Sequence, residues 1–599
     1  MENHPAGDRP PAPPASAMDD QELLENIDGR MHGPMGGFVK KYFGNLQYAR
    51  QDASLEIQRA GGGVGGRCAI PSTAPSPDNF LRWFSSHASR ELDGARGSRH
   101  ISSNEIAPEH QSARLLLTMP TSPASNVPTR WDHVQVVGQF YRHGCVCYQD
   151  GLLRLCQSAQ QVFASQPTRL FLHGFYIRDS LIELWAFDRS GLYCSDVFDV
   201  QKDFIQFFSI IVSYQCMTDQ DLGKNNLIET DESGSYIVLD SKAMPSLGKL
   251  YLESQPIASR ESVVGTGTTC YRARMPGSNR WDYVLKFKWR WARQRPEDEL
   301  LKLVQERRVW GAISLDHYKE LESTANLRRS LRWGSHRKFV RAHSPERHAS
   351  VDEQRRHDAC SANGLVDCTE ETGHFFQNRI LACTLTSPVG RSLCTFQSNG
   401  ELLRVFRDAI KCHRSLFCDA KILHKDVSPG NMIILDGQDE GKPQGILIDL
   451  DSAVELAEES GTELGITGTR PFMAIGVLKG QYHTYRHDLE SFLYVFLWAI
   501  ITNHGENPPA TSKLRQWSNG NWEELALRKS LDMDRDNFQS ILGEISPEFR
   551  SLKPLAESLR QILFPLRDGV IWTGSDGSSE AVDKLYDNII HALEEAIVF

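Results

Sequence analysis

The sequence predicts an α+β chain in three parts: a disordered N-terminal tail, a smaller ordered module and a larger C-terminal domain. Three observations carry this expectation. The 599 residues are 40% apolar and 24% charged, an ordinary globular composition that excludes disorder along the whole chain. Residues 131–215 read as strand, helix, hairpin and helix. Beyond residue 255, strand-like runs alternate with long helical periodicities. The expected boundaries are 1–128 for tail and linker, 129–254 for the module, and 255–599 for the large domain. A basic insertion is expected near 326–370.

The formal charge of −10 argues against a general nucleic-acid coat protein. The thirteen cysteines include no CxxC pair, which disfavours a disulfide framework or a zinc ribbon and points to reduced thiols. The N-terminus has no apolar signal region, and the apolar run Leu489 to Ile501 contains Glu490 and is too short to span a bilayer. The chain is therefore expected to be intracellular, cytoplasmic or nuclear, with no membrane partner.

Taken in order, residues 1–17 are rich in proline and alanine and read as disordered. Residues 19–59 carry a weak helical pattern, 60–67 a glycine spacer, and 71–128 a polar and mostly irregular stretch. WDHVQVVGQFYR then reads as a strand and Leu152 to Ala164 as a helix. The strands 169–177 and 180–188 are joined by a polar turn, and DFIQFFSIIVSYQ (203–215) is helical. Asn326 to Arg356 is basic and lacks apolar periodicity. It is expected to be a solvated surface insertion, with a nuclear-import or nucleic-acid patch as the alternative.

The chemistry is concentrated further on. In HKDVSPGN (424–431), Asp426 is followed five positions later by Asn431. Phosphoryl transfer needs a carboxylate to take the proton of an attacking hydroxyl, and an amide oxygen for a metal ion. In GILIDLDSA (445–453), an apolar strand leads to Asp449, a second candidate metal ligand. Asp451 is either a further ligand or a cap. Upstream, Gly265 and Gly267 lie in SVVGTGTTCYRARM, and Lys286 follows on the alternating strand DYVLKFKW. Glycines let a backbone approach phosphates, and a strand lysine pairs with them. The helix partner of Lys286 is expected to be Glu297 or Glu299, between which the spacing does not choose. Leu402 to Leu416 is the long helix delivering the 424–431 loop, and His413 reads as a packed helix residue rather than a ligand.

The order of glycines, strand lysine, helix glutamate, HKDVSPGN, LIDLDSA, TGTRPFMA and HDLESFLYVFLW resembles the protein-kinase superfamily, and most closely the fungal-type protein kinases, the FunK group. The resemblance covers roughly residues 130–599 and implies a two-lobed kinase-like fold. It implies ATP and Mg²⁺ as cofactors, protein Ser/Thr hydroxyls as acceptors, Asp426 as base, Asn431 and Asp449 as metal ligands, and Lys286 on the phosphates. GTRPFMAIG would be the segment where a protein substrate docks, and Asp488 would tie the following helix to the catalytic-loop backbone. Ser460, Thr462, Thr467 and Thr469 are the candidate phosphosites.

Three departures stand out. Cys270 replaces the third loop glycine. Lys425 replaces the usual arginine, which weakens bidentate docking of a phosphate. Gly476 replaces a glutamate whose ion pair anchors the segment. Where related modules carry VxVxGExK, Gln139 and Tyr141 stand here, so the N-terminal module is expected to be a non-catalytic scaffold or interaction domain. A small-molecule kinase of the aminoglycoside or choline type and a pseudokinase scaffold are the alternative readings. Nucleic acid is an expected partner only through the basic insertion.

Overall fold

The computed structural model describes residues 20–44, 100–102, 106–107, 112–118, 130–141, 148–239, 248–333, 366–367, 376–436, 441–456, 466–504 and 507–598. The expected tail 1–17, the glycine spacer 60–67, Ser460 and Thr462, and nearly all of the insertion beyond residue 333 lie outside these residues. The described chain divides into two compact units. One comprises Met1–Tyr271, Lys286–Gln294 and Lys319–Cys383; the other comprises Arg272–Leu285, Arg295–Tyr318 and Thr384–Phe599. This division follows a different line from the expected boundary at 254/255.

The first unit begins with α1 (Asp20–Ile27), β1 (Met31–His32) and α2 (Phe38–Phe43). It continues through β2 (His100–Ser102), β3 (Ile106–Ala107), β4 (Ser112–Thr118) and β5 (Val134–Tyr141). Next come α3 (Tyr148–Ser165), β6 (Phe171–Arg178), β7 (Leu181–Asp188), β8 (Gly191–Cys194), β9 (Phe198–Asp199) and α4 (Phe204–Cys216). The sheet runs β1-β8-β7-β6-β5-β4-β2, with β3 on β4 and β9 on β7. Strands β5 and β6 are parallel, from Val136 opposite His173 to Tyr141 opposite Arg178. A parallel neighbour requires a crossover, and α3 is that crossover. Strands β6 and β7 form the expected hairpin, with Asp179 at φ 55° in its turn.

Residues 20–44 therefore correct the expectation of a tail. Leu23, Ile27, Met31, Met35, Phe38 and Phe43 are all buried. The stretch 112–118 is likewise a strand rather than irregular, with Leu115, Leu116 and Leu117 buried. The start of the basic segment is also corrected. Arg328 is fully buried and donates from Nε and Nη2 to the two carboxylate oxygens of Asp188, each at 2.6 Å. Its guanidinium lies over the rings of Tyr193, Trp333 and Phe376. A buried charge persists where it is paired in this bidentate way, and the aromatic faces add to the pairing.

A meander follows: β10 (Ile228–Asp231), β11 (Gly234–Val238) and β12 (Lys249–Leu252). These strands belong to an eight-stranded sheet with β13 (Ala258–Ser259), β14 (Thr269–Arg274), β15 (Tyr283–Trp291), β16 (Ser314–Ser323) and β17 (Arg379–Ser387). Its order is β10-β11-β12-β14-β15-β17-β16, with β13 on β14.

The second unit holds α5 (Glu297–Glu306) and α6 (Asn399–Cys418). Ser398 caps α6 by accepting from the Glu401 N–H, the Ser-x-x-Glu start signal. Short strands follow: β18 (Ile422–Leu423), β19 (Met432–Ile434), β20 (Gly445–Leu447) and β21 (Val454–Glu455). Helices α7 (Ile475–Leu478), α8 (Tyr485–Thr502), α9 (Trp522–Asp532), α10 (Arg535–Glu544), α11 (Lys553–Leu563) and α12 (Ser579–Val598) complete it. Helix α8 is apolar on nearly every face and lies in the core. Among the described residues, no helix is long and apolar enough to cross a membrane.

Candidate phosphoryl-transfer site

The loop from His424 to Asn431 joins β18 to β19 and is held from beneath by one buried carboxylate. Asp488, at the start of α8, accepts from the backbone N–H groups of His424 and Lys425 through Oδ2, each at 3.2 Å. The same oxygen accepts from His413 Nε2 at 2.9 Å, and Oδ1 accepts from His483 Nε2 at 2.7 Å. Burial alone would raise this carboxyl, but the His483 and His413 imidazoles hold it well below the usual carboxylate range. His413 also accepts from the Tyr586 hydroxyl at 2.8 Å. It is packed in the helix, as its position suggested, and it also belongs to this network. His424 Nε2 donates to the Ile448 carbonyl at 3.0 Å, and burial pushes the imidazole below its usual value.

On this base, Asn431 donates from Nδ2 to the Asp426 carbonyl at 2.8 Å, which fixes the amide and directs its other end away. The Ile448 N–H donates to the Asn431 carbonyl at 2.9 Å, joining the loop to the chain leaving β20. Asp449 follows with φ 67°, a left-handed conformation uncommon for a residue with a Cβ. Its carboxylate accepts from the Asp451 N–H. Carboxylate oxygens of Glu297, Asp449 and Asp451 lie within 4.8 Å of one another. Three hard oxygen donors at this spacing fit a divalent cation such as Mg²⁺. The sequence left Glu297 and Glu299 undecided. Glu297 is buried and its Oε1 accepts the Leu450 N–H at 3.2 Å, whereas Glu299 pairs with Arg295 and is half exposed.

The segment beside the loop is pinned almost residue by residue. Thr469 donates both its N–H, at 2.8 Å, and its hydroxyl, at 2.7 Å, to Asp426 Oδ1. Arg470 lies over the Trp522 ring and donates to the Gly520 carbonyl. The fully buried Lys529 donates to the carbonyls of Pro471 and Met473, each at 2.7 Å. Burial pushes its ammonium well below the usual range, against the pull of Glu490 and Asp532. The Ile475 N–H donates to Glu490 Oε1 at 2.6 Å, and Arg486 pairs with Glu490 at 2.8 Å. Gly476 has no room for a side chain, since a Cβ would meet His487 Nε2 at 2.3 Å.

Gly476 itself has no side chain to form an ion pair, and Lys529 and Glu490 hold the segment in its place. Glu490 had a visible signal, a carboxylate in an otherwise apolar helix four residues after Arg486. Lys529 had none.

Lys286 lies on β15, on the face opposite the buried Leu285, Phe287 and Trp289. The two loop glycines lie in a segment tied to the first unit. Val263 and Val264 are buried in the apolar core of the first unit, and the Gly265 N–H donates to the Arg189 carbonyl at 2.9 Å. A Cβ on Gly267 would meet the buried Arg189 guanidinium at 2.6 Å. Asn26 closes the tether, donating to the Val264 carbonyl at 2.8 Å and accepting from its N–H at 3.0 Å. Gly267 thus packs against Arg189, while Gly265 takes a positive φ of 134° that favours glycine.

Residues 115–500 match the family model described as fungal protein kinase. The match spans more than half of the chain, and the chain belongs to that family. No curated protein matches the sequence.

Proposed function

We propose that the chain is an ATP-dependent protein kinase that transfers the γ-phosphoryl group to Ser/Thr hydroxyls of protein substrates. One observation supports this above the others: Thr469 is bonded to the carboxylate of Asp426, and the residues that follow it are held by Lys529 and Glu490. A small-molecule kinase needs no such platform, whereas a protein acceptor must be held in register with the base.

In this reading the two Thr469 bonds fall on Asp426 Oδ1, leaving Oδ2 to take the proton of the substrate hydroxyl. The hydroxyl oxygen bonds to the γ-phosphorus as the bond to the bridging oxygen of ADP breaks. Asn431, Asp449 and the neighbouring Asp451 would hold Mg²⁺, which when bound neutralises charge on the phosphates. Lys286 would pair with the phosphates. We place the two-lobed kinase domain within 255–599, and take 129–254, with the sheet that β1 and β4 extend, as its scaffold module. An intracellular setting, cytoplasmic or nuclear, goes with protein substrates and ATP. The LIDLD carboxylates also favour the small-molecule reading, since Asp451 stands in the cluster.

The test is incubation of the full chain with labelled ATP, Mg²⁺ and a mixture of protein substrates, beside Asp426→Asn and Asp449→Ala. Label on protein Ser/Thr from wild type, with a loss of at least about a hundredfold in both variants, is expected. Transfer to aminoglycosides or choline and not to protein selects the alternative. Equal labelling in all three chains overturns both.

A further inference from the structure

Two arginines bracket helix α5 and converge on one carboxylate. Arg295 stands two residues before Glu297, and Arg307 directly follows the last residue of the helix. Arg295 Nη1 meets Glu455 Oε2 at 3.1 Å, and Arg307 Nη2 meets Oε1 at 2.6 Å. The ten-residue helix is about 15 Å long, so the pairs restrain it from both ends. Arg307 also donates to the Ala420 carbonyl, at the end of the turn leading into β18. Glu455 is itself fixed, lying opposite Ile422 in the β18–β21 ladder, with the Leu456 N–H donating to the Lys421 carbonyl at 2.9 Å. Its side chain is 12% exposed and takes one guanidinium on each carboxylate oxygen, two charge-assisted hydrogen bonds. They hold its carboxyl below the usual range.

The chain of contacts then reaches the chemistry at both ends. Strand β18 leads directly into the His424–Asn431 loop, and α5 carries Glu297, whose carboxylate holds the Leu450 N–H between Asp449 and Asp451.

We infer that Glu455, clamped by Arg295 and Arg307, is a positioning residue that keeps α5 and Glu297 on the Asp449–Asp451 turn, and that this carboxylate makes the arrangement independent of any phosphate on the chain. The inference rests on the phosphoryl-transfer reading above. It also fits Lys425, which lacks the fork that would grip a phosphate in two places.

The full-length protein is assayed on dephosphorylated casein as wild type, wild type treated with phosphatase, Glu455→Gln and Glu455→Asp. Amide hydrogen exchange is followed at 297–306 and 448–452. Glu455→Gln is expected to lower kcat by about tenfold to a hundredfold, with the KM for casein changing less than about twofold. Exchange at both segments should speed up in the same variant. Glu455→Asp should recover part of each, and phosphatase treatment should leave the wild-type rate unchanged. Should Glu455→Gln not fold, Arg295→Gln is read in its place with the same expectations. Wild-type kcat and exchange in Glu455→Gln overturn the inference, as does loss of activity on phosphatase treatment. If wild type labels no protein, the function above fails, and the exchange data alone judge the clamp.

Discussion

His173 sits on β6 with the rings of Tyr42, Phe43, Phe171 and Tyr214 around it, and its Nε2 donates to the Asp221 carbonyl at 3.1 Å. Burial pushes this imidazole down to about 4. In the unfolded chain it takes up a proton near pH 6.5, so between pH 6.5 and about 4 the unfolded state binds more protons than the folded one. Its contribution is fully present above pH 6.5 and is lost as the pH falls, reaching about 3 kcal/mol near pH 4. Chemical denaturation across that range should show the slope, and His173→Gln should flatten it; an unchanged slope would locate the acid sensitivity elsewhere. At this scale the candidate site was legible where one short segment carries the chemistry, as in HKDVSPGN and LIDLD. It was illegible where the partner lies far along the chain. Lys529 reaches the carbonyls of Pro471 and Met473 from 56 or more residues away, and nothing local marks it. Glu297 and Glu299 share the same helical spacing, and only burial separated them.

Helix α7 shows how an element acquires constraints its sequence does not announce. It is four residues long, fully buried, and starts at the Ile475 N–H held by Glu490. Gly476 packs against His487 and Gln481 with no space to spare. Gly476→Ala should therefore cost about 1–3 kcal/mol, through overpacking rather than backbone strain. A thermal melt would read this as a lowered Tm, and an unchanged Tm would mean that His487 gives way freely. Strands and helices with clear periodicity, β6, β7, α6 and α8 among them, stood out in the sequence. Strand β4 did not. Its large apolar residues are the leucine triplet 115–117, and leucine carries little strand preference by itself. It is a strand because β5 pairs with it along its whole length.

At the scale of the molecule, the first unit extends past the boundary that the motif order implies. Residues 20–44 supply six buried apolar side chains, and Asn26 among them binds the Val264 backbone from 238 residues away. Each such side chain contributes about 1.5–3 kcal/mol by burial. Removal of residues 1–44 should therefore leave the first unit unable to fold. Limited proteolysis should then cut at 262–267, a segment protected in the full chain; continued protection would show that the tether is dispensable.

The same tether bears on inheritance. A recombination event joining codons 255–599 to a new upstream gene would carry off Val263, Val264 and Gly267 without the Arg189 and Asn26 they are shaped around. The transplanted piece would open with a bare apolar hook, and the abandoned piece would keep an unfilled slot. Descendants of this gene should accordingly transmit both portions together, and drift at Arg189 should be answered by change at Gly267.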